Sequence, residues 1–490
     1  MNNIVIVGGG TAGWLSALFV EKNFDNPKTI TLIESEEIGI LGAGEGSVGL
    51  MPIFLQSLDI DVYEFLVEVN GTPKLGVNFE NWNGDGSSYL HHFKHQNEFD
   101  ISKEIKEYYG YLYENQLGIQ NHEITSVVVN SGKTHPKLST SFHFDAHLVA
   151  KYLRKIAESR GIVRVEGVVK SFTQKSNGDI SEIHLENGES IKSDFVFDCS
   201  GFRRLIIGDL FKTKWKDYSD ILPVNSAIPF FLPQSDVEIK PHTRAIAMKY
   251  GWTWMIPLQN RWGCGYVFDD NYINSDEAKK EVEEFLGHKI EVNRTIKFKA
   301  GRYEDFCVNN CIAIGLSSGF TEPLEATAIM VIMFGLYAVM NIKQKYKSFD
   351  DFGFRKEYNS YMSAVCDDTA DFLQFHYFTK RNDTEFWKKV TNNPIKSKHL
   401  TKNIESLSKG NGFAPTLYTN VFVESSYMLV GNGIEYFDSN FFMGHYQKYT
   451  NKQIIENIHK RNLENIKKVT KESIDLVSSL RILKNRYQKN

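Results

Sequence analysis

Gly8, Gly10 and Gly13 fit the spacing G-x-G-x-x-G, and that spacing has a chemical purpose. The first glycine permits a tight turn, the second lets backbone approach a pyrophosphate, and the third lets a helix pack closely on a strand. Phosphate then sits on the helix N-terminus, where free N–H groups and the dipole favour negative charge. Glu34 lies 21 residues past the third glycine (34 − 13) and ends an apolar run, the place from which a carboxylate binds ribose hydroxyls. A glycine turn that merely ends a strand has no need of that acid. The pattern specifies a dinucleotide site without choosing the dinucleotide.

Other residues offer chemistry less directly. Glu45 follows Gly44 in a glycine-rich stretch, residues 38–49, whose small side chains suit contact with a flat ring system. His91, His92 and His95 surround Phe93 and can ligate metal, but no acid or cysteine stands at a ligand-like spacing. A structural or substrate-lining role is the expectation there. Cys307 and Cys311 form a lone C-x3-C with no second ligand pair, so no zinc site is expected. Lys74 falls in TPKLGVNFENW, where Leu75, Val77 and Phe79 alternate with Lys74, Gly76, Asn78 and Glu80 as in a half-buried strand. A lysine on the polar face of such a strand is ordinarily solvated. Glu325 precedes an apolar run and reads as an acid favoured by a helix N-terminus. Trp252 and Trp254, two apart, share one face of a strand and form either core or cavity wall.

The elements that position these residues follow a strand–helix rhythm. Residues 4–7 form a β-branched strand, residues 14–19 open an apolar helix, and residues 29–33 form a second strand. Residues 50–68 contain helix, and residues 83–135 read as loop-rich. Asp145 is an N-cap for a helix with Leu148, Val149, Tyr152, Leu153 and Ile156 on one face and Gly161 at its end. Strands follow, punctuated by turns at Asn177-Gly178 and Asn187-Gly188, up to a buried strand within residues 194–201. Residues 205–300 read as mainly antiparallel β-structure, residues 310–314 as a last strand of the nucleotide domain, and residues 348 onward as helical.

Size and composition fit such a design. The chain has 490 residues, 42% hydrophobic and 24% charged, which is ordinary for a soluble globular protein with room for two or three domains. An aromatic share of 13% suits large apolar pockets or tunnels, and a net charge of −4 offers no basic field for nucleic acid. Five scattered cysteines and the absence of a leader before residue 4 lead us to expect a reduced, cytoplasmic protein. The apolar run 326–340 is fifteen residues long, short of the ~18–20 that span a bilayer, so no membrane partner is expected. The last forty residues carry ten Lys or Arg against four acids, and Ile455, Ile458, Leu463, Ile466 and Val469 recur helically, as on a solvated helix or a partner surface.

Taken together the motifs resemble the flavin-dependent halogenases of the tryptophan-halogenase type. GGGTAGW (8–14), ESEEIGILGAGE (34–45), HFDAHLVAKYL and DCSGFRRLI resemble blocks around that family's flavin. The most specific is Trp252-Thr253-Trp254-Met255-Ile256-Pro257, the W-x-W-x-I-P signature. The resemblance implies an α/β fold: a Rossmann-like FAD-binding domain of flavin monooxygenase type, an inserted antiparallel β-region, and a helical C-terminal part. It implies residues 1–70, 140–205 and 300–345 for the flavin domain, 71–139 and 206–299 for the insertion, and 346–490 for a region covering the substrate.

The resemblance also assigns roles. Gly8, Gly10, Thr11, Ala12, Gly13, Trp14, Glu34, Gly44, Glu45, Leu316 and Ile329 would bind FAD. Reduced FAD, dioxygen and halide would yield hypohalous acid, which would travel a tunnel walled by Trp252 and Trp254 to Lys74. The lysine would either hydrogen-bond the acid or become a haloamine, both open to a lysine whose pKa falls on desolvation. Glu325 would orient hypohalous acid and take up the arene proton, and the amides of Thr327 and Ala328 would hold chloride, bromide or iodide. Ala326 and Ala328 replace the family's frequent Ser and Gly or Ser, which bears on halide preference. No second dinucleotide motif is present, so FADH2 would come from a separate reductase, by diffusion. The expected substrate is an electron-rich aromatic of indole or phenol type, and a homo-oligomer is compatible with the chain. Phe422, Tyr427, Tyr436, Phe441 and Phe442 are either pocket or core. The rival readings are a single-component FAD-dependent aromatic hydroxylase and a non-catalytic flavin-fold binding protein.

Overall fold

The computed structural model describes residues 2–24, 29–36, 45–93, 104–234, 238–346, 348–349, 351–413 and 421–487. Gly44, His95 and most of the glycine-rich stretch 38–49 lie outside the described residues. A six-stranded sheet runs Cys307–Val308, Cys311–Ala313, Phe195–Asp198, Asn3–Val7, Thr29–Glu34, Val163–Glu166. All neighbours are parallel except the edge hairpin that pairs Cys307 with Ile312. Helix Thr11–Asn23 packs on this sheet, with Trp14 through Val20 buried without interruption, as an apolar sequence between two layers requires. Helix Ala146–Ser159 lies beside it, capped by the Asp145 carboxylate, which accepts from the His147 and Leu148 amides. Gly161 just past its end has φ 86°, the left-handed value that makes glycine the usual residue there.

A second sheet of seven strands has the order Ile296–Lys297, Ser226–Pro233, Arg261–Phe268, Gly251–Pro257, Thr243–Ala247, Gly76–Glu80, Ser88–His92. It is antiparallel throughout except where Thr243–Ala247 runs parallel to Gly76–Glu80. A small separate sheet has the order Glu45–Gly46, Ser141–Phe144, Thr72–Lys74. Residues 72–82 are therefore not the single half-buried strand that their alternation suggests. The chain leaves one sheet at Lys74 and enters another at Gly76, with the Leu75 amide bonded to the Pro241 carbonyl between them. Both faces are covered, so Lys74 is buried instead of solvated.

Residues 83–135 also correct the loop-rich reading. They hold strand Ser88–His92 and helices Ile105–Glu114 and Ile124–Asn130. Ile105, Tyr108, Tyr109 and Leu112 fall on one buried face at helical spacing. Tyrosines of weak helix propensity and the helical Gly110 mask that pattern.

Helices from Phe352–Phe375 to Leu476–Tyr487 make up most of the C-terminal part. They share one apolar core with a face of the seven-stranded sheet, through Trp82, Trp252, Phe372 and Trp387. Tyr427 and Phe442 are fully buried in that core and Phe422 nearly so. Ile455 and Ile458 of helix Lys452–Glu472 reach the same core, so its apolar stripe is covered by the chain itself. Among the described residues no helix is long and apolar enough to cross a membrane.

Candidate active site

Parallel pairing brings the dinucleotide residues to one edge. Val7 is in register with both Ile33 and Asp198, so Gly8, Glu34 and Cys199 leave the carboxyl ends of three neighbouring strands together. Ligands bind at this edge of a parallel sheet. Gly8 has φ 117°, and a Cβ there would lie 2.1 Å from the Cys199 carbonyl oxygen. A Cβ on Gly13 would lie 1.8 Å from the Gly8 carbonyl oxygen, whereas one on Gly10 would meet nothing within 4 Å. The outer glycines are thus required by the fold, and the middle one faces open space. Helix Thr11–Asn23 starts at Gly10 with no side-chain cap, leaving its first amides available to an anion.

That open space is a cavity of about 1350 Å³. Its walls include Gly8, Gly10, Thr11, Ala12, Trp14, Glu34, Glu45, Leu316 and Ile329 at one end, with Lys74, Trp252, Trp254 and Ala328 also among them. Gly13 lies behind the loop, and Glu325 and Thr327 border the cavity without lining it. Lys151, Arg154 and Lys155 line the nucleotide end and supply positive charge. The Glu34 carboxylate is bonded by Arg164 and stands 3.5 Å from Arg154. The uncapped helix, the cradle at Gly10 and the carboxylate at the second strand end fit a dinucleotide with a pyrophosphate and a ribose. Glu45 is half-buried, one of its oxygens is buried with no hydrogen-bond partner among the described residues, and desolvation followed by the charge of Asp145 pushes it up to about 7.

Trp252 and Trp254 share a face of strand Gly251–Pro257, their rings 6.4 Å apart and edge-on. Trp254 crosses Gly265 on the neighbouring strand, where a Cβ would fall 2.0 Å from the indole. A glycine opposite is what lets this indole lie across the sheet and wall the cavity.

Lys74 is 0% exposed, and among the described residues its ammonium has no hydrogen-bond partner. It stands 5.6 Å from the centre of the Phe93 ring. Burial pulls its pKa from 10.5 down to about 8, against the opposing pull of the Glu325 charge. A buried, unpaired cation is costly to hold, and that cost is ordinarily tolerated at sites with a use for it.

Glu325 is held by two histidines. His91 Nδ1 lies 2.7 Å and His376 Nε2 lies 2.9 Å from the same carboxylate oxygen. His376 Nδ1 faces the Phe372 carbonyl at 2.8 Å, so both of its ring nitrogens meet acceptors. Burial pushes the Glu325 carboxyl up, but the charge of His91 and the bonds from both histidines outweigh it and hold the group at about 2. Glu325 therefore stays ionised at every working pH. The three ligand atoms lie within 4.8 Å of one another, the spacing of a metal site. Nitrogen–oxygen separations of 2.7 and 2.9 Å are those of hydrogen bonds, and ligands spread around an ion with ~2.0–2.2 Å bonds sit farther apart.

Ala326 turns the chain between Glu325 and the helix that follows. It adopts a left-handed conformation, φ 55°, at about 1–2 kcal/mol for a residue with a Cβ, and its amide bonds Pro323. Helix Thr327–Lys343 then begins without a side-chain cap, so the early amides of Thr327 and Ala328 have no partner within the helix.

His376, the second partner of Glu325, carries no sequence signal, since 51 residues separate the two. His91 stands 234 residues before Glu325, which is why no acid appeared at a ligand-like spacing. Glu322, which burial pushes up to about 8 despite a hydrogen bond from the Tyr377 hydroxyl, was equally hidden.

The tryptophan halogenase family model matches residues 3–442. Tryptophan 7-halogenase RebH of Lentzea aerocolonigenes is 34% identical over 432 residues, covering 79% of this chain and 78% of its own. Tryptophan 6-halogenase SttH of Streptomyces toxytricini is 32% identical over 424 residues, 79% of this chain and 80% of its own. Among solved structures, Xcc4156, a flavin-dependent halogenase from Xanthomonas campestris, superposes with a TM-score of 0.86 at 28% identity over 98% of each chain. The chain therefore belongs to the tryptophan halogenase family and is a flavin-dependent halogenase, an enzyme that uses reduced FAD, dioxygen and halide.

Proposed function

We propose that this halogenase acts on an electron-rich aromatic of indole or phenol type, with Lys74 and Glu325 as its catalytic pair. The observation that carries this reading is the buried, unpaired Lys74 ammonium in the same cavity as the glycine loop. Reduced FAD, with dioxygen and halide, supplies hypohalous acid. The amides at Gly10 to Ala12 hold the pyrophosphate, Glu34 meets the ribose, Leu316 and Ile329 border the flavin, and the amides of Thr327 and Ala328 hold halide. Glu45, and Gly44 beside it, complete the flavin-binding set.

Lys74 receives the hypohalous acid. As the arene carbon takes the halogen, the oxygen–halogen bond breaks and the departing oxygen takes a proton from the ammonium, leaving as water. The ring's own proton passes to Glu325. A carboxylate near pKa 2 is a weak base, but an arenium ion is acidic enough to give it a proton. Transfer of that proton back toward Lys74 restores both groups, so hypohalous acid and arene become haloarene and water.

FADH2 is supplied by a separate reductase through diffusion, a reading supported by the lack of a second dinucleotide glycine motif. Flavin domain, inserted region and C-terminal cover keep the boundaries given above, a division supported by the two large sheets and the helices that follow them. Five free thiols suit a reducing cytoplasm.

The test is to incubate the protein with FAD, a reductase, a mixed panel of indoles and phenols, and each of chloride, bromide and iodide in turn. Mass spectrometry is expected to show monohalogenated arenes. Hydroxylated arenes, or halogenation of none of the panel, would overturn the substrate reading.

A further inference from the structure

Beside Lys74 runs a chain of buried polar groups that the reading above leaves unused. The Thr72 hydroxyl donates to the Pro257 carbonyl at 2.7 Å, which spends its only proton. Its oxygen, 3.0 Å from His143 Nδ1, must then accept, so that nitrogen carries the hydrogen. Burial, then the charges of Lys74 and His242, hold the His143 pKa well below the ordinary imidazole value. His143 is neutral, and Nε2 presents a lone pair. Thr243 Oγ1 stands 2.9 Å from it and therefore donates its own proton there. Each proton in the chain is assigned by the one before it, starting from a carbonyl that can only accept. The outcome is a Thr243 hydroxyl whose remaining capacity is acceptor only.

Thr243 lines the same cavity as Lys74. A side-chain carbon built on Gly46 would lie 3.2 Å from Lys74 Nζ and 3.6 Å from Thr243 Oγ1, so both atoms face one small space that a glycine leaves open. One side of that space offers ammonium hydrogens and the other a fixed lone pair. Among the described residues neither atom has another partner in it: Lys74 Nζ bonds nothing, and Thr243 Oγ1 bonds only His143.

We propose that Thr243, oriented by His143 and Thr72, is a second holding group for hypohalous acid, accepting its O–H while Lys74 donates to its oxygen. With oxygen and hydrogen both held, the halogen is the one atom left to face the arene. This rests on the role given to Lys74, and it selects the hydrogen-bonding form of that role over the haloamine. No redox or covalent step is added, since the acid is held by two hydrogen bonds and reacts as described above.

The test pairs Thr243→Val, which keeps shape and removes the acceptor, with Thr243→Ser, which keeps it. Haloarene and freely diffusing hypohalous acid, caught by a 1,3-diketone trap, are counted against oxygen consumed. In Thr243→Val haloarene per oxygen is expected to fall on the order of tenfold, the worth of one hydrogen bond, with a matching rise in trapped acid. Thr243→Ser is expected to keep the wild-type partition. A flavin-free crystal structure of the wild type supplies a readout independent of turnover: one ordered water, with the same donor and acceptor pattern, bridging Lys74 Nζ and Thr243 Oγ1. An unchanged partition in Thr243→Val, or no bridging water, overturns the proposal. Loss of product in Lys74→Ala alongside an unchanged Thr243→Val overturns this inference alone. Product retained by Lys74→Ala removes the role of Lys74 itself.

Discussion

Replacing Lys74 by methionine is expected to stabilise the protein while ending halogenation. The ammonium is fully buried and unpaired, and its pKa falls from 10.5 to about 8. At 1.36 kcal/mol per unit, the folded state bears about 3 kcal/mol for keeping that proton at neutral pH. Loss of the weak attraction to Phe93, about 0.5–1 kcal/mol, offsets part of the gain and leaves about 2–2.5 kcal/mol. Methionine fills the same slender volume without charge. For 490 residues the unfolding entropy near 2.1 cal/mol/K per residue converts this to roughly 2–3 °C in Tm. The sign with pH is fixed. Because the folded pKa lies below the unfolded one, the charged form opposes folding fully below pH 8, and the penalty fades as pH rises toward 10.5. Calorimetry of flavin-free wild type and Lys74→Met should therefore show the variant melting higher at pH 7 and the two converging near pH 10. A variant that melts lower at pH 7, or a gap that does not change with pH, would refute the argument that burial outweighs the Glu325 charge in setting the state of this lysine.

Other expectations rest on separate parts of the site. Gly10→Ala should leave Tm unchanged, since its Cβ meets no atom within 4 Å, yet weaken FAD in a fluorescence titration; unaltered affinity would mean no pyrophosphate approaches there. Glu325→Gln should lower product formation on the order of 10²-fold or more with oxygen consumption retained, and equal product rates would remove Glu325 from the chemistry. His376→Asn takes away a donor that holds Glu325 near 2, so its carboxyl should rise and an acid limb absent from the wild type should enter the product–pH profile. Coupling of product to oxygen should fall as pH rises through about 8, where Lys74 loses its donor proton. The same midpoint with chloride and bromide assigns that fall to the lysine, whereas a rise would favour the haloamine.

Local physics made the nucleotide half of the molecule legible in the sequence. A β-branched run, three glycines and an acid at a fixed distance each answer to short-range geometry, and the parallel strands fall where they indicate. The Asp145 helix was equally readable, because cap, apolar stripe and terminal glycine lie within one segment. Lys74 was misjudged from its neighbours alone: alternation along residues 72–82 cannot reveal that the chain changes sheets at Leu75 and buries the lysine. Only the family resemblance pointed to it. The partners of Glu325 were out of reach for a related reason. Hydrogen bonds from His91 and His376 join three distant segments, and no spacing rule spans 234 residues. The Thr72–His143–Thr243 chain likewise exists only once the small sheet and the seven-stranded sheet meet.

The direction of hypohalous acid by Lys74 is the centre of the account, and one measurement addresses it most directly. Lys74→Ala is given FAD, a reductase, dioxygen, bromide and an indole, with haloarene and trapped hypohalous acid both counted against oxygen consumed. FAD binding and oxygen consumption are expected to persist, trapped acid to appear, and haloarene made at the site to vanish. Haloarene formed by the variant at the wild-type rate, with no acid in the trap, would contradict it.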